Sequence, residues 1–274
     1  MITITNVHKS FGKRDVLKGV SITVPTGSVT AILGPSGSGK TTFLRTLNFL
    51  GKADEGTFQL GDTTVDLHNA SKKEILAIRR RTAMVFQSYN LFSNMTAIGN
   101  VMEGLVTVKG VKKSEAREKA EYFLEKVGMK GYEDYYPVQL SGGQQQRVGI
   151  ARALAMDPEV IFFDEPTSAL DPELVGEVLD VIQKIAKELH VTMIIVTHEI
   201  AFARDIADQV VFMEKGKVVE AGAPEDVLVH PKEARTREFL DRYLRQGQIR
   251  EEVKAPDIHA VPVSAITPAA AVSA

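Results

Sequence analysis

Short apolar runs alternate with amphipathic stretches along most of this sequence. Runs rich in Val, Ile and Phe predict strands at residues 2–7, 20–24, 29–33, 82–86, 160–163 and 191–196, with a break at Gly19 before the second. Apolar residues at helical spacing predict helices at 41–50 and 172–189. Because strands and helices alternate with long crossovers, the pattern favours an α/β fold with a mainly parallel sheet.

Two parts of the sequence depart from that alternation. Gly61-Asp62 and Lys215-Gly216 each separate two short strand candidates, which predicts antiparallel hairpins. Between about 97 and 155 the period is helical, with an apolar face made of Ala116, Ala120, Phe123, Leu124 and Val127. We expect one domain over 1–248, with an antiparallel β subdomain and this helical insert. Residues 249–274 are rich in Ala, Val and Pro, and we expect a disordered tail there.

The composition narrows the class of protein without indicating a function. The chain contains no cysteine, which excludes disulfides and thiolate metal sites. Its formal net charge is −2, so no overall basic surface for nucleic acid is expected. The first residues lack the features of a signal peptide, and no apolar run approaches the length of about 18 residues that spans a bilayer. We therefore expect a cytoplasmic protein that reaches a membrane only through a protein partner.

The strongest chemical signal is a glycine-rich loop between a predicted strand and a predicted helix. The segment Gly34-Pro35-Ser36-Gly37-Ser38-Gly39-Lys40-Thr41 fits the pattern G-x-x-x-x-G-K-[ST], and Thr42 follows it. Its glycines let backbone N–H groups approach phosphates, and the helix dipole favours negative charge there. Lys40 would neutralise the β- and γ-phosphates of a nucleotide, and the Thr41 hydroxyl would bind Mg²⁺. A chance Gly/Ser-rich turn is a poor alternative, because the loop has both the strand and the helix that the motif requires.

A second glycine-rich turn opens another predicted helix but has no cation of its own. It reads Leu140-Ser141-Gly142-Gly143-Gln144. A phosphate cradle without a charge suggests that this turn completes a site elsewhere. If each nucleotide needs both loops, the simplest arrangement is a homodimer in which this turn closes over the phosphate bound by the other copy.

Two adjacent carboxylates, Asp164 and Glu165, directly follow the apolar run 160–163. Ionised carboxylates at the end of a buried strand are costly unless they meet a cation or polarise a water molecule. Asp164 suits the ligand shell of Mg²⁺, and Glu165 suits a general base for an attacking water. The alternative, a solvated acidic turn, fits poorly with the four apolar residues that precede the pair.

Three further residues have roles that their own sequence context leaves open. Gln87 follows the strand 82–86 and could contact Mg²⁺ or the attacking water, or be an ordinary polar loop residue. His198 follows the strand 191–196 and could sense the γ-phosphate, or be a histidine at a helix start with a local partner. Phe11 could stack on adenine, or face the core from a strand.

In their order along the chain, these segments resemble those of the ATP-binding subunits of ABC transporters. The resemblance covers roughly residues 1–245 and includes Ser168-Ala169-Leu170-Asp171. It implies that 34–41 form the Walker A loop, that Asp164 ends the Walker B strand and that Glu165 is the catalytic carboxylate. Asp171 would belong to the loop that joins the two nucleotide sites of a dimer.

The same resemblance bears on the residues whose roles were open. It implies that Gln87 is the glutamine of the Q-loop and that His198 is the switch histidine. Ser141–Gly143 would be the signature that reaches across the dimer. Phe11 falls where the family has an aromatic ring that stacks on adenine.

Three longer segments, 86–92, 137–147 and 171–179, are similar to those of the polar amino-acid importers in that family. Such importers take up glutamine, histidine, arginine, glutamate or cystine. The resemblance implies an ATPase that uses ATP and Mg²⁺, works with membrane permease subunits and an extracytoplasmic solute-binding protein, and has no nucleic acid partner. The chain would lie on the cytoplasmic face of the membrane, with residues 88–95 near the permease.

Other classes of protein fit the sequence less well. ABC ATPases that act on nucleic acid or ribosomes usually have a long coiled coil or tandem ATPase domains, and this sequence has one motif set and no long heptad run. A P-loop GTPase or small-molecule kinase would not explain residues 140–144, and no Asn-Lys-x-Asp motif occurs. A module that only binds nucleotide would lack a carboxylate at position 165.

Overall fold

The computed structural model describes residues 1–243 of the chain. The expected disordered tail, 249–274, lies outside the described residues. Within 1–243 the strands are β1 (Ile2–Phe11), β2 (Arg14–Val24), β3 (Val29–Leu33), β4 (Glu55–Leu60), β5 (Thr63–Asp66), β6 (Thr82–Val85), β7 (Val160–Asp164), β8 (Thr192–Val196), β9 (Gln209–Glu214) and β10 (Lys217–Gly222).

The α-helices lie between some of these strands, and three of them follow one another between β6 and β7. They are α1 (Lys40–Leu47), α2 (Lys72–Arg81), α3 (Ala97–Thr107), α4 (Lys113–Lys126), α5 (Gly142–Ala155), α6 (Pro172–Leu189) and α7 (Ile200–Ile206). A 3₁₀ turn lies at Pro137–Gln139 and a π-helical turn at Glu225–Val229. A further helix begins at residue 234 and continues to the end of the described part.

A mainly parallel sheet forms the centre of the molecule, which confirms the predicted α/β class. Its strand order is β10-β9-β3-β8-β7-β6, and only the edge pair β10-β9 is antiparallel. All residues of β3, β7 and β8 are buried, because helices or the second sheet cover both faces. The carboxyl ends of these parallel strands meet at one edge of the sheet, where ligands of α/β proteins bind.

A second, antiparallel sheet has the strand order β2-β1-β4-β5 and contains the predicted hairpin at Gly61-Asp62. One apolar core joins it to the central sheet through α1. This core includes Phe58 of the second sheet, Phe43 of α1 and Phe162 of the central sheet. Since Phe43 is fully buried, α1 is fixed between the two sheets, and so is the loop that precedes it.

The other face of the central sheet packs against helices. Ile161 and Phe163 of β7 join a core that also contains Val101, Leu124 and Val148 of α3, α4 and α5. Between residues 97 and 155 the regular elements are three α-helices and the 3₁₀ turn. Adjacent residues of β7 thus point to different cores, because side chains alternate across a strand.

Three features of the chain path differ from the predicted elements. Gly19 does not break the chain but lies within β2, where its positive φ of 83° accompanies a register irregularity opposite β1. Helices α2 and α7 were not predicted. Only Ile78 of α2 is buried, so that helix has no apolar stripe, and the signal for it is the capping box formed by Ser71 and Glu74.

Candidate functional site

A cavity of about 300 Å³ opens at the carboxyl end of β3. It is lined by Arg14, Val16, Ser36, Gly37, Gly39, Lys40, Thr41, Thr42 and Glu165. Most of these residues belong to the glycine-rich loop and the first turn of α1, as the motif predicts. Glu165 contributes from the neighbouring part of the sheet edge, 124 positions after Thr41 in the numbering of the chain.

The loop between β3 and α1 has a path that requires glycine at both of its ends. Gly34 has φ 146°, and a Cβ there would lie 2.0 Å from the carbonyl oxygen of Met213. Gly39, the N-cap of α1, has φ 102°, and a Cβ there would lie 2.9 Å from the carbonyl oxygen of Val16. The backbone therefore passes close to β9 and β2, and the loop is held as a preformed cradle.

Lys40 is buried in this cradle, with 4% of its surface exposed. Its Nζ donates hydrogen bonds to the carbonyl oxygens of Gly34 at 2.8 Å and Pro35 at 3.2 Å. Burial lowers the pKa of Lys40, and the nearby carboxylates of Glu165 and Asp164 oppose that shift. A buried ammonium group with carbonyl partners has a strong electrostatic preference for an anion such as a phosphate.

Asp164 lies beside Lys40 and is a buried carboxylate, so a cation rather than an anion is its favourable partner. It is 2% exposed, and its Oδ1 accepts a hydrogen bond of 2.7 Å from the Thr41 hydroxyl. Arg45 reaches its Oδ2 at 3.4 Å. Burial raises the pKa of Asp164, with only partial compensation from Thr41 and Arg45. A carboxylate and a hydroxyl in contact present the hard oxygen ligands that Mg²⁺ prefers.

The described residues do not provide a complete metal cage at this place. Within 1–243, no group of three or more His, Cys, Asp or Glu side chains is arranged to hold an ion. Mg²⁺ in nucleotide sites typically takes one or two protein ligands and completes its shell with phosphate oxygens and water. The pair Thr41–Asp164 fits that kind of site.

Glu165 is the next residue, and its backbone is in the left-handed region with φ 49°. Such a conformation costs about 1–3 kcal/mol for a residue with a side chain and is often found at functional sites. Its Oε1 contacts Nε2 of His198 at 3.0 Å, and its N–H donates to the carbonyl oxygen of Val196. The hydrogen bond from His198 lowers the pKa of Glu165, so this carboxylate is ionised at neutral pH.

Two other predicted residues are exposed near the same edge. Phe11 is 60% exposed at the end of β1, so the alternative that it faces the core is wrong. The Lys9 ammonium group lies 5.2 Å from its ring centroid. Gln87 is exposed two residues after β6. Val85 pairs with Phe163 in the parallel sheet. Gln87 and Glu165 therefore follow neighbouring strands at equivalent positions, each two residues beyond that pair.

The second glycine-rich turn lies apart from this cavity, since none of residues 141–144 lines it. Ser141 is the N-cap of α5 and forms a capping box with Gln144. Gly142 packs under Tyr89, where a Cβ would be 2.7 Å from the tyrosine hydroxyl. Gly143 packs against Leu174 of α6. Within one copy, the two loops therefore do not line the same cavity.

The sequence analysis missed several residues that shape the site. Arg14 and Val16 line the cavity from β2, and no local motif indicates them. Arg45 contacts Asp164. The sequence could have indicated this residue, because it lies four positions after Thr41 and therefore on the same face of α1. A half-buried arginine on α5, Arg152, has no motif either.

Arg152 holds the segment that follows Gln87. Tyr89 and Asn90 have φ values of 58° and 51°, two consecutive left-handed residues. The Arg152 guanidinium donates to the carbonyl oxygen of Asn90 at 2.6 Å and to that of Tyr89 at 3.1 Å. The Tyr89 hydroxyl donates to the carbonyl oxygen of Ala169, before Asp171. The Arg152 side chain of α5 therefore fixes a strained backbone between two loops of the predicted site.

Replacing Arg152 with Met should lower stability, because it leaves two strained carbonyl groups without their donors. The Tyr89 carbonyl oxygen is part-buried, and an unpaired buried acceptor costs about 1–3 kcal/mol, whereas the exposed Asn90 carbonyl oxygen can bind water instead. We therefore expect a fall in the thermal midpoint that comes mainly from Tyr89. Arg117→Met is the matched control, since Arg117 is exposed on α4 and its ion pair among residues 1–243 is the surface pair with Glu121. Equal midpoints for the two variants in a thermal unfolding scan would contradict this account.

Comparison with known proteins decides the family. The model of the ABC transporter family matches residues 17–168, more than half of the chain. An L-cystine import ATP-binding protein of Bacillus subtilis is 54% identical over 262 residues, covering 94% of this chain and 100% of that protein. The chain belongs to the ABC transporter family. A histidine/lysine/arginine/ornithine transport ATP-binding protein of Escherichia coli is 49% identical, with 89% of this chain and 98% of that protein covered.

Solved structures agree with this assignment. A dimeric ATP-binding cassette in a post-hydrolysis state, bound to ADP and phosphate, superposes with a TM-score of 0.72 at 33% identity. The match covers 82% of this chain and 99% of that one. The predicted family and fold are confirmed, and this ABC subunit is an ATP-hydrolysing one. Among residues 1–243, no helix combines the length and apolarity that crossing a membrane needs.

Proposed function

We propose that this ABC subunit hydrolyses ATP between two copies of itself and thereby drives import of a polar amino acid, with cystine as the first candidate. The observation that carries the proposal is the incomplete cavity. It contains Lys40 and Glu165 but no residue of the turn 141–144. Proteins named for L-cystine import or transport in Bacillus subtilis and Escherichia coli are 54% and 52% identical to this chain, which supports cystine over the other candidates.

Within one copy, different residues would bind the phosphates, the Mg²⁺ ion and the adenine of ATP. The loop 34–39 and the N–H groups of the first turn of α1 hold the phosphates, and Lys40 turns from its carbonyl partners to the β- and γ-phosphates. Thr41 and Asp164 would hold Mg²⁺, which neutralises developing phosphate charge when bound. Phe11 offers an exposed ring to adenine, and Thr42 lines the cavity.

The attacking water would lie against Glu165. This carboxylate is ionised, and its fixed contact with His198 gives the side chain one orientation. The imidazole stands beside the base, and in the proposed site it would also contact the γ-phosphate. Gln87, exposed at the neighbouring strand end, would contact the metal or the water.

The second copy supplies what the cavity lacks. Ser141 is solvent-exposed, and the N–H groups that follow it lie at the N-terminus of α5, where an anion is favoured. Facing the γ-phosphate bound by the other copy, this turn with Gly142, Gly143 and Gln144 would close the site. ATP would favour the closed pair and hydrolysis would reopen it. A solved relative is described as a dimer, which supports this arrangement.

We propose that the membrane permease binds on the face between α2 and the helical residues 97–155. A cavity of about 380 Å³ there has a mostly apolar lining that includes the exposed residues Leu76 and Val108. Arg79, Arg80 and Arg152 add positive charge. A short amphipathic helix with acidic residues, extending from a permease on the cytoplasmic side, would suit this cavity. The permease in turn would receive the amino acid from an extracytoplasmic solute-binding protein.

Uptake in a strain that lacks this gene tests the substrate. Labelled cystine uptake should fall strongly, and the chain expressed from a plasmid should restore it. Uptake of labelled histidine, arginine, glutamine and glutamate serves as the comparison. Loss of arginine or histidine uptake with normal cystine uptake would reject cystine, and unchanged uptake of cystine, histidine, arginine, glutamine and glutamate alike would reject the importer role.

A further inference from the structure

A second cavity, of about 440 Å³, lies directly beside the nucleotide cavity. Its lining is strongly basic and consists of Lys13, Arg14, Asp15, Val16, Lys18, Gly37 and Lys215. The two cavities share Arg14, Val16 and Gly37, so an anion in one is next to the other. We refer to Lys13, Arg14, Lys18 and Lys215 as the basic rim.

The cations of the basic rim have few acidic neighbours among residues 1–243. In the part of the chain that the structure describes, none of the four takes part in an ion pair. The one acid in the lining, Asp15, accepts a hydrogen bond from Ser10. Nearby cations outside the rim differ, since Lys9 pairs with Asp54 at 3.0 Å. With a net charge of −2 for the whole chain, this positive charge is a local concentration.

The backbone brings Lys215 to the rim through a tight turn. Lys215 has φ 50° at the turn between β9 and β10, followed by Gly216 at φ 80°. Gly216 accepts from the N–H of Lys18 and donates to the carbonyl oxygen of Ser38 in the phosphate loop. A Cβ at Gly216 would lie 2.3 Å from the carbonyl oxygen of Val16. The turn is therefore wedged between β2 and the phosphate loop, and the lysine cannot be moved away without disturbing both.

We propose that the basic rim is an electrostatic entry site, which captures the polyphosphate of a nucleotide and directs it into the cavity that holds Lys40. The proposal rests on ATP being the ligand of that cavity. A cluster of like charge beside a cleft raises the association rate of an ion of opposite charge. Because Lys13, Lys18 and Lys215 are exposed, they contribute little to the bound state and act mainly on the encounter.

The test replaces Lys13, Lys18 and Lys215 together with Gln and leaves Arg14 unchanged, since Arg14 also lines the nucleotide cavity. Association of a fluorescent ATP analogue with the full chain is followed by stopped flow at low and high salt. We expect the association rate constant to fall roughly tenfold at low salt. The difference should largely vanish near 1 M salt, where the screening length is about 3 Å. The turnover number at saturating ATP should not change.

The control variant carries the same change in net charge elsewhere. Lys112, Lys113 and Lys187 are exposed on α4 and α6, and Gln at all three should leave association unchanged. An unchanged association rate in the rim variant, or a slower rate that persists at high salt, would refute the role of the basic rim as an entry site. Either result would leave ATP as the ligand of the cavity. Wild-type protein that does not bind the analogue at all would refute ATP as the ligand, and the rim with it.

Discussion

Glu165→Gln is expected to lower the ATP turnover number by about 10²–10⁴, equivalent to roughly 3–5 kcal/mol of barrier. The amide keeps the size of the side chain and its hydrogen bond with His198 but cannot accept the proton of the attacking water. ATP binding does not depend on that proton transfer. The variant should therefore hold ATP without hydrolysing it, and a phosphate-release assay at saturating ATP measures the loss.

The same variant tests the shared site. If the turn 141–144 closes over the partner's phosphate, unhydrolysed ATP should keep two copies together, and the Glu165→Gln protein should elute as a dimer in gel filtration with Mg·ATP. Glu118→Gln, an exposed change on α4, is the control and should show wild-type turnover. A Glu165→Gln protein that stays monomeric at saturating Mg·ATP would argue against the two-copy site.

Lys40→Ala should have the second large effect, the loss of nucleotide binding. The buried ammonium group would supply charge-assisted hydrogen bonds to the phosphates, each worth about 1.5–3 kcal/mol. Without it, the carbonyl oxygens of Gly34 and Pro35 face the phosphate oxygens with no cation between them. We expect affinity for ATP to fall by at least about 10²-fold, as measured by equilibrium titration.

Lys52→Ala is a suitable control for that change, because Lys52 is exposed and lines a different cavity. Its affinity for ATP should equal that of the wild type. A thermal scan of Lys40→Ala distinguishes lost binding from lost folding. Wild-type affinity in a folded Lys40→Ala protein would remove this lysine from its proposed role.

The sequence could predict the elements whose signal is local. Residues 160–163 are a continuous apolar run, so β7 is recognisable without its neighbours. The two loops are recognisable because their glycines and polar residues stand at set spacings. The fourteen-residue helix α5 and its Ser141 cap follow from the same local pattern.

What the sequence could not predict depends on contacts between distant segments. The hydrogen bond from Thr41 to Asp164 joins residues 123 positions apart, and only the pairing of strands brings them together. The left-handed backbone of Tyr89 and Asn90 is stable because Arg152 binds their carbonyl groups, which no propensity indicates. Helix α2 was missed for a related reason, since exposed helices lack an apolar stripe.

Helix α5 touches two functional surfaces at once. It begins beside Ser141, where it would meet the partner's phosphate, and Arg152, near its other end, lines the cavity proposed for the permease. Fourteen residues of helix make an uninterrupted rod about 21 Å long. If both surfaces act as proposed, a displacement of this continuous helix on the membrane side would also displace its phosphate end, so ATP hydrolysis and transport would be linked through α5.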